Sequence, residues 1–88
     1  MNALVMDEKL RIRDDKLRWH CRRALLELDI VFQRFWAEQG DVPLGDDEAK
    51  SLERLLELED HPLWKLVSDS AVSVSADDMD MLERLRKL

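Results

Sequence analysis

Leu25-Leu26-Glu27-Leu28-Asp29-Ile30-Val31-Phe32-Gln33-Arg34-Phe35-Trp36-Ala37-Glu38-Gln39-Gly40 is the stretch that decides the fold class. Leu25, Leu28, Val31, Phe32, Phe35 and Trp36 fall on one face of a 3.6-residue repeat, while Gln33, Arg34 and Glu38 face away. A central core helix is predicted here. It stops at Gly40, and Val42-Pro43 follows with a residue that cannot continue a helix.

Working outward, the charged run from about Lys9 to Arg23 carries a thin apolar stripe, Leu10, Leu17 and Cys21, and predicts a first helix ending near Arg23. On the other side, Gly45-Asp46-Asp47-Glu48 opens a third helix, because carboxylates in a first turn offset the partial positive charge of unpaired N–H groups. Its stripe is Ala49, Leu52, Leu55 and Leu56. Asp60 ahead of Pro62 starts a short fourth helix with Leu63, Leu66 and Val67 on its inner face. Residues 68–73 read as loop. Ser75 and Asp78 have capping-box spacing, with Val74 placed to staple onto Met79, and a fifth helix turns Met79, Leu82 and Leu85 inward.

The expectation is an all-α, compact five-helix bundle in one domain, 9–88, after a flexible N-terminus over residues 1–8. The weakest boundary is Arg23-Ala24. Nothing local prevents one continuous helix from about Asp14 to Glu38, and alanine is the best helix former.

Size and composition narrow the function. An 88-residue chain holds one core and has little to give up to a deep cofactor cavity, so a surface function is expected. Two glycines and two prolines leave helical repeats uninterrupted. With 45% hydrophobic residues the chain has enough apolar material to collapse. The net charge of −6 is unevenly spread, with residues 1–27 at +2 and the remainder at −8. An acidic total argues against a nucleic-acid partner, which needs a clustered basic face. The basic amino end can steer docking to an acidic protein. Cys21 is the single cysteine, so no internal disulfide forms and a reducing compartment fits. Neither a secretory signal nor an apolar run approaching ~18 residues is present. A soluble, cytoplasmic chain without membrane insertion is expected.

No set of residues converges on catalysis or metal binding. His20 and His61 lie far apart and neither belongs to a helical His-x-x-x-His pair. His20 and Cys21 are adjacent, which on a helix points them about 100° apart. The clusters Asp46-Asp47-Glu48 and Asp77-Asp78-Asp80 lack the spacing and turn glycine of a calcium loop. No glycine-rich turn after a strand exists to hold a dinucleotide. The chain is read as no enzyme, with neither metal nor cofactor of its own.

Trp36 and Trp64 share helical spacing with core residues and are assigned to the core. Trp19 lies off the first helix's stripe and beside Arg22 and Arg23, the composition of a protein-binding hot spot. Arg23 and Glu27, four apart, would as a plain surface ion pair contribute about 0.3 kcal/mol. Their position where one helix gives way to the next, flanked by Leu25, Leu26 and Leu28, favours a preorganised binding surface instead.

The segment Trp19-His20-Cys21-Arg22-Arg23-Ala24-Leu25-Leu26-Glu27-Leu28-Asp29 resembles the Arg-Gly-x-x-Glu signature of the succinate dehydrogenase FAD assembly factors, the SdhE family. Arg23 and Glu27 are in register, and Ala24 occupies the glycine position. Arg34-Phe35 and Leu55-Leu56-Glu57 before Asp60 also look like family positions. The resemblance implies a five-helix bundle that binds the flavoprotein subunit of succinate dehydrogenase, and often of fumarate reductase, and assists covalent attachment of FAD to that partner.

Carried over by position, Arg23 and Glu27 become docking residues presented outward, with Trp19, Arg22, Ala24 and Asp29 as supporting surface. Glycine at position 24 would serve either a turn with positive φ or close approach of a partner's backbone. A monomeric chaperone-like factor is the expectation. The alternative is an antitoxin-like regulatory module using the same basic patch, and helix swapping between two copies stays open.

Overall fold

The computed structural model describes residues 2–88, with side chains from Glu8 onward. Five α-helices follow in order: α1 Asn2–His20, α2 Leu26–Gln39, α3 Asp46–Leu56, α4 Asp60–Ser68 and α5 Ala76–Arg86. The all-α five-helix reading is borne out. The flexibility expected of residues 1–8 concerns, up to Asp7, side chains outside the described residues.

α2 buries Leu28, Val31, Phe32 and Phe35, four of the six positions of its predicted stripe, and Leu25 and Trp36 lie half-buried against the same core. They meet Leu52, Leu55 and Leu56 of α3, Leu63 and Val67 of α4, and Met81, Leu82 and Leu85 of α5 in one cluster, which Leu17, Cys21 and Leu44 complete. Fully burying a side chain of this size contributes about 1.5–3 kcal/mol relative to leaving it in water. α5 lies against α2, α3 and α4, and α1 against α3. Trp36 packs edge-on to Phe35, with ring centroids 5.0 Å apart at 87°.

Helix ends show how an acidic chain uses its arginines. The final carbonyls of a helix have no intrahelical partner and carry partial negative charge. At the end of α2, Arg18 Nη2 donates to the Gly40 carbonyl at 3.1 Å. The end of α3 receives Arg23, and the end of α4 receives Arg86, whose Nε donates to Leu66 O at 3.0 Å and whose Nη2 donates to Asp69 O at 3.0 Å. Three helix C-termini are thus closed by side chains from other parts of the fold. Gly40 ends α2 as its sequence predicts, with φ +61° and its N–H bonded to Trp36 O.

Two local expectations are corrected. α1 ends at His20 and α2 begins at Leu26, so the break falls across residues 21–25 and neither Arg23 nor Ala24 is helical. The Ser75-Asp78 capping box is not made, because no side-chain hydrogen bond caps α5. Asp78 turns instead to α3, where it accepts from Ser51 Oγ at 2.9 Å and from Arg54 Nη2 at 2.6 Å. The paired guanidinium holds the Asp78 carboxyl below its usual range.

Candidate functional site

The break between α1 and α2 has no local stop signal, yet four of its five N–H groups are hydrogen-bonded. Cys21 N–H closes the end of α1 onto Leu17 O and Arg18 O, and Arg22 N–H bonds Trp19 O. Arg23 N–H then donates to Asp29 Oδ1 at 3.2 Å, and Leu25 N–H donates to Asp60 Oδ2 at 2.9 Å. Leu25 is the N-cap of α2 and has no side-chain cap of its own, and a carboxylate from α4 satisfies its N–H, the donor that a Glu or Gln at the third helical position serves in a capping box. The Leu25 N–H, with help from Arg23, keeps the Asp60 carboxyl below its ordinary pKa.

Arg23 departs most from expectation. Its side chain is only 11% exposed, so it is not presented outward. Nη2 donates to Leu56 O at 2.8 Å and Nη1 to Leu58 O at 3.0 Å, with Asp60 Oδ1 at 3.4 Å from Nη1. The physical reason is the break itself. A residue outside both helices belongs to neither helical face, and here its guanidinium reaches the negative end of α3. No Arg23–Glu27 ion pair forms, and the salt-bridge partner of Arg23 is Asp60.

The other singled-out residues remain accessible. Trp19, on the last turn of α1, is 73% exposed, and the Arg22 guanidinium carbon sits 5.9 Å from its ring centroid. Ala24 and Glu27 are exposed, while Asp29 is half-buried and also accepts from Gln33 Nε2 at 2.8 Å. Among the described residues no non-glycine has positive φ, so Ala24 sits unstrained and the turn requires no glycine for its backbone.

Trp19, Arg22, Arg23 and Ala24 line one depression of about 500 Å³, whose opposite wall is Glu53, Glu57 and Asp60. Asp29 lines a neighbouring cleft of about 380 Å³ with Arg18, Arg22, Phe32 and Trp36. Glu27 lies outside both. It is two positions from Asp29, roughly 200° around the helix, so the two carboxylates of α2 address different directions. The sequence marks Asp60 only as a helix start and a resemblance position and Glu57 only as a resemblance position, and Glu53 carries no marker at all. They reach the site through the α3–α4 corner, which local spacing does not reveal.

The arrangement suits binding. Burial pushes the Cys21 thiol up to about 11, partly offset by the neighbouring Trp36 and Arg23, and Asp60 is shifted down. Neither group titrates near neutrality, where a proton-transfer group works best. Among the described residues no cluster of His, Cys, Asp and Glu is placed to hold a metal ion, and no helix is long and apolar enough to cross a membrane.

Comparison with known proteins gives a consistent answer. Residues 15–88 match the family model described as flavinator of succinate dehydrogenase. The chain is 34% identical over 79 residues to an FAD assembly factor SdhE of Vibrio vulnificus, covering 90% of this chain and 85% of that protein. It is 30% identical over 73 residues to one of Coxiella burnetii, covering 83% and 88%. A shorter match, 42% identical over 55 residues, is to one of Ralstonia nicotianae and spans 62% of this chain and 57% of that protein. No solved structure matches significantly.

Proposed function

The chain belongs to the family of succinate dehydrogenase flavinators, and from that premise we propose that it binds the flavoprotein subunit of succinate dehydrogenase and promotes covalent attachment of FAD there. The family match over residues 15–88 carries this reading. The family acts in assembly. On our reading this member performs no chemistry of its own and has no resident cofactor, FAD being bound by the partner.

The docking surface is Trp19, Arg22, Ala24 and Glu27, with Asp29 on its flank and Arg23 as its floor. Trp19 and Arg22 supply a rigid aromatic and a cation, the residue types that dominate binding hot spots. The exposed Ala24 marks where a partner's backbone would come closest. By holding one conformer of the flavoprotein the chain raises the population competent for flavin attachment, with no reacting group on the binder. Fumarate reductase's flavoprotein, with the same cofactor chemistry, is a second substrate of the same surface. The factor works as a monomer in the cytoplasm.

The test is co-purification with the flavoprotein subunit, followed by in-gel fluorescence of protein-bound flavin. Glu27→Ala lowers covalent flavin incorporation with little change in melting temperature, because Glu27 is exposed and forms no ion pair among the described residues. Normal flavin incorporation in that variant would remove Glu27 from the site. Recovery of a small toxic protein in place of the flavoprotein would replace assembly with the regulatory reading.

A further inference from the structure

We propose that Asp60 is a positioning residue for docking: from the first turn of α4 it holds the α1–α2 break open and so fixes where Trp19 and Glu27 stand relative to each other. The proposal rests on the docking reading above and goes beyond the signature residues, since Asp60 lies 35 positions from Leu25 on another helix.

One carboxylate does two things at the break. Its Oδ2 accepts the Leu25 N–H that begins α2, and its Oδ1 faces the Arg23 guanidinium at 3.4 Å. Asp29 accepts the Arg23 N–H at the same break, and the Leu25 N–H is left to Asp60. Ala24 is the best helix former, φ is negative at every described non-glycine residue, and Leu25 caps nothing with its own side chain. Without Asp60 the local preference is for α1 to run on into α2. In such a rod Trp19 and Glu27 would stand about 12 Å apart along one axis, and the depression beside Ala24 would lose its turn wall. The Asp60 side chain is 24% exposed and also lines the depression, and its positioning role runs through the backbone it holds.

The experiment compares the full-length wild type with Asp60→Ala, Asp60→Asn and Asp78→Ala. Backbone carbon chemical shifts of residues 22–25 are measured, together with affinity for the flavoprotein subunit corrected for folded fraction. Asp60→Ala is expected to move the shifts of residues 22–25 toward helical values and to weaken docking by about tenfold. Asp60→Asn, which keeps an oxygen for Leu25 N–H, recovers part of both. Asp78→Ala, which loosens the α3–α5 join and touches neither Leu25 nor Arg23, lowers the melting temperature yet leaves corrected docking at the wild-type value.

Wild-type shifts at 22–25 in Asp60→Ala, or undiminished corrected docking, would overturn the proposal. An equal docking loss in Asp78→Ala would also overturn it, by showing general destabilisation. If the wild type itself does not dock, the functional reading fails, and the chemical shifts alone then decide whether Asp60 sets the turn.

Discussion

Arg23 Nη2 and the carbonyl of Leu56 are hydrogen-bonded at 2.8 Å, so the arginine in register with the family signature closes the end of a helix that begins 23 residues after it. A hydrogen bond with a charged donor contributes about 1.5–3 kcal/mol. Arg23→Ala should therefore destabilise the fold by about 2 kcal/mol, roughly 8–16 °C in Tm for a chain of this size. Arg23→Lys should not restore it, because one ammonium cannot span two carbonyls and a carboxylate as a planar fork does. Thermal melts followed by circular dichroism decide, and an unchanged Tm in Arg23→Ala would mean the guanidinium does not brace α3.

Trp19 should behave in the opposite way. With most of its surface in water, Trp19→Ala is expected to shift stability by no more than about 0.5 kcal/mol. Its removal should weaken flavoprotein binding by about 2 kcal/mol, some thirtyfold. Titration calorimetry on both forms measures this, and equal affinities would place the contact elsewhere.

Ala24 tests what the signature's glycine is for. Its φ is not positive, so Ala24→Gly gains no relief of strain and should lose about 0.5–1 kcal/mol through the extra freedom of the unfolded chain. If a partner's backbone approaches this position, the same variant binds more tightly and raises flavin incorporation. A more stable Ala24→Gly protein would contradict the backbone conformation described here.

Acid should weaken the bundle through two carboxylates. Asp60 and Asp78 both have folded pKa values depressed below the ordinary value, by the Leu25 N–H and the Arg54 guanidinium respectively. The stability they contribute is complete above the unfolded carboxylate pKa of about 3.9. It is lost as pH falls through the lower folded values. Tm should fall below about pH 4, and Asp78→Asn should show a lower neutral Tm with a flatter acid slope. Parallel acid slopes for the two proteins would exclude Asp78 as a contributor.

Cys21 offers a probe of opening. Buried at 3% exposure with its thiol pushed up to about 11, it should resist a disulfide reagent at pH 8 in the folded state and react promptly in denaturant. Rapid modification of native protein would show that the α1–α2 break opens readily.

Legibility in the sequence followed the range of the interaction. The α2 stripe, the Gly40 stop and the acidic start of α3 were all readable, because each depends on residues within a few positions of one another. The break at 21–25 was not located to the residue, since its decisive hydrogen bond comes from Asp60 and Ala24 argues locally for helix. Arg23 is expected outward because the resemblance makes it a docking residue, whereas outside both helices its guanidinium turns to the end of α3. Asp78 shows the converse error, in which a valid capping spacing is overridden by Arg54 and Ser51 on α3. Of the candidate site, the exposed Trp19, Arg22, Ala24 and Glu27 are named by residue type and resemblance, whereas the convergence of Glu53, Glu57 and Asp60 on the same depression is not legible in local spacing.

The loan of Asp60 to the start of α2 also orders events in time. During synthesis the ribosome must deliver position 60 before the second helix can acquire its proper beginning, so a nascent chain ending at Leu58 lacks the corner that separates its first two helices. Neither half of this molecule is a miniature of the whole. Truncation between α3 and α4 should leave an elongated, unfinished hairpin partner rather than a smaller working factor.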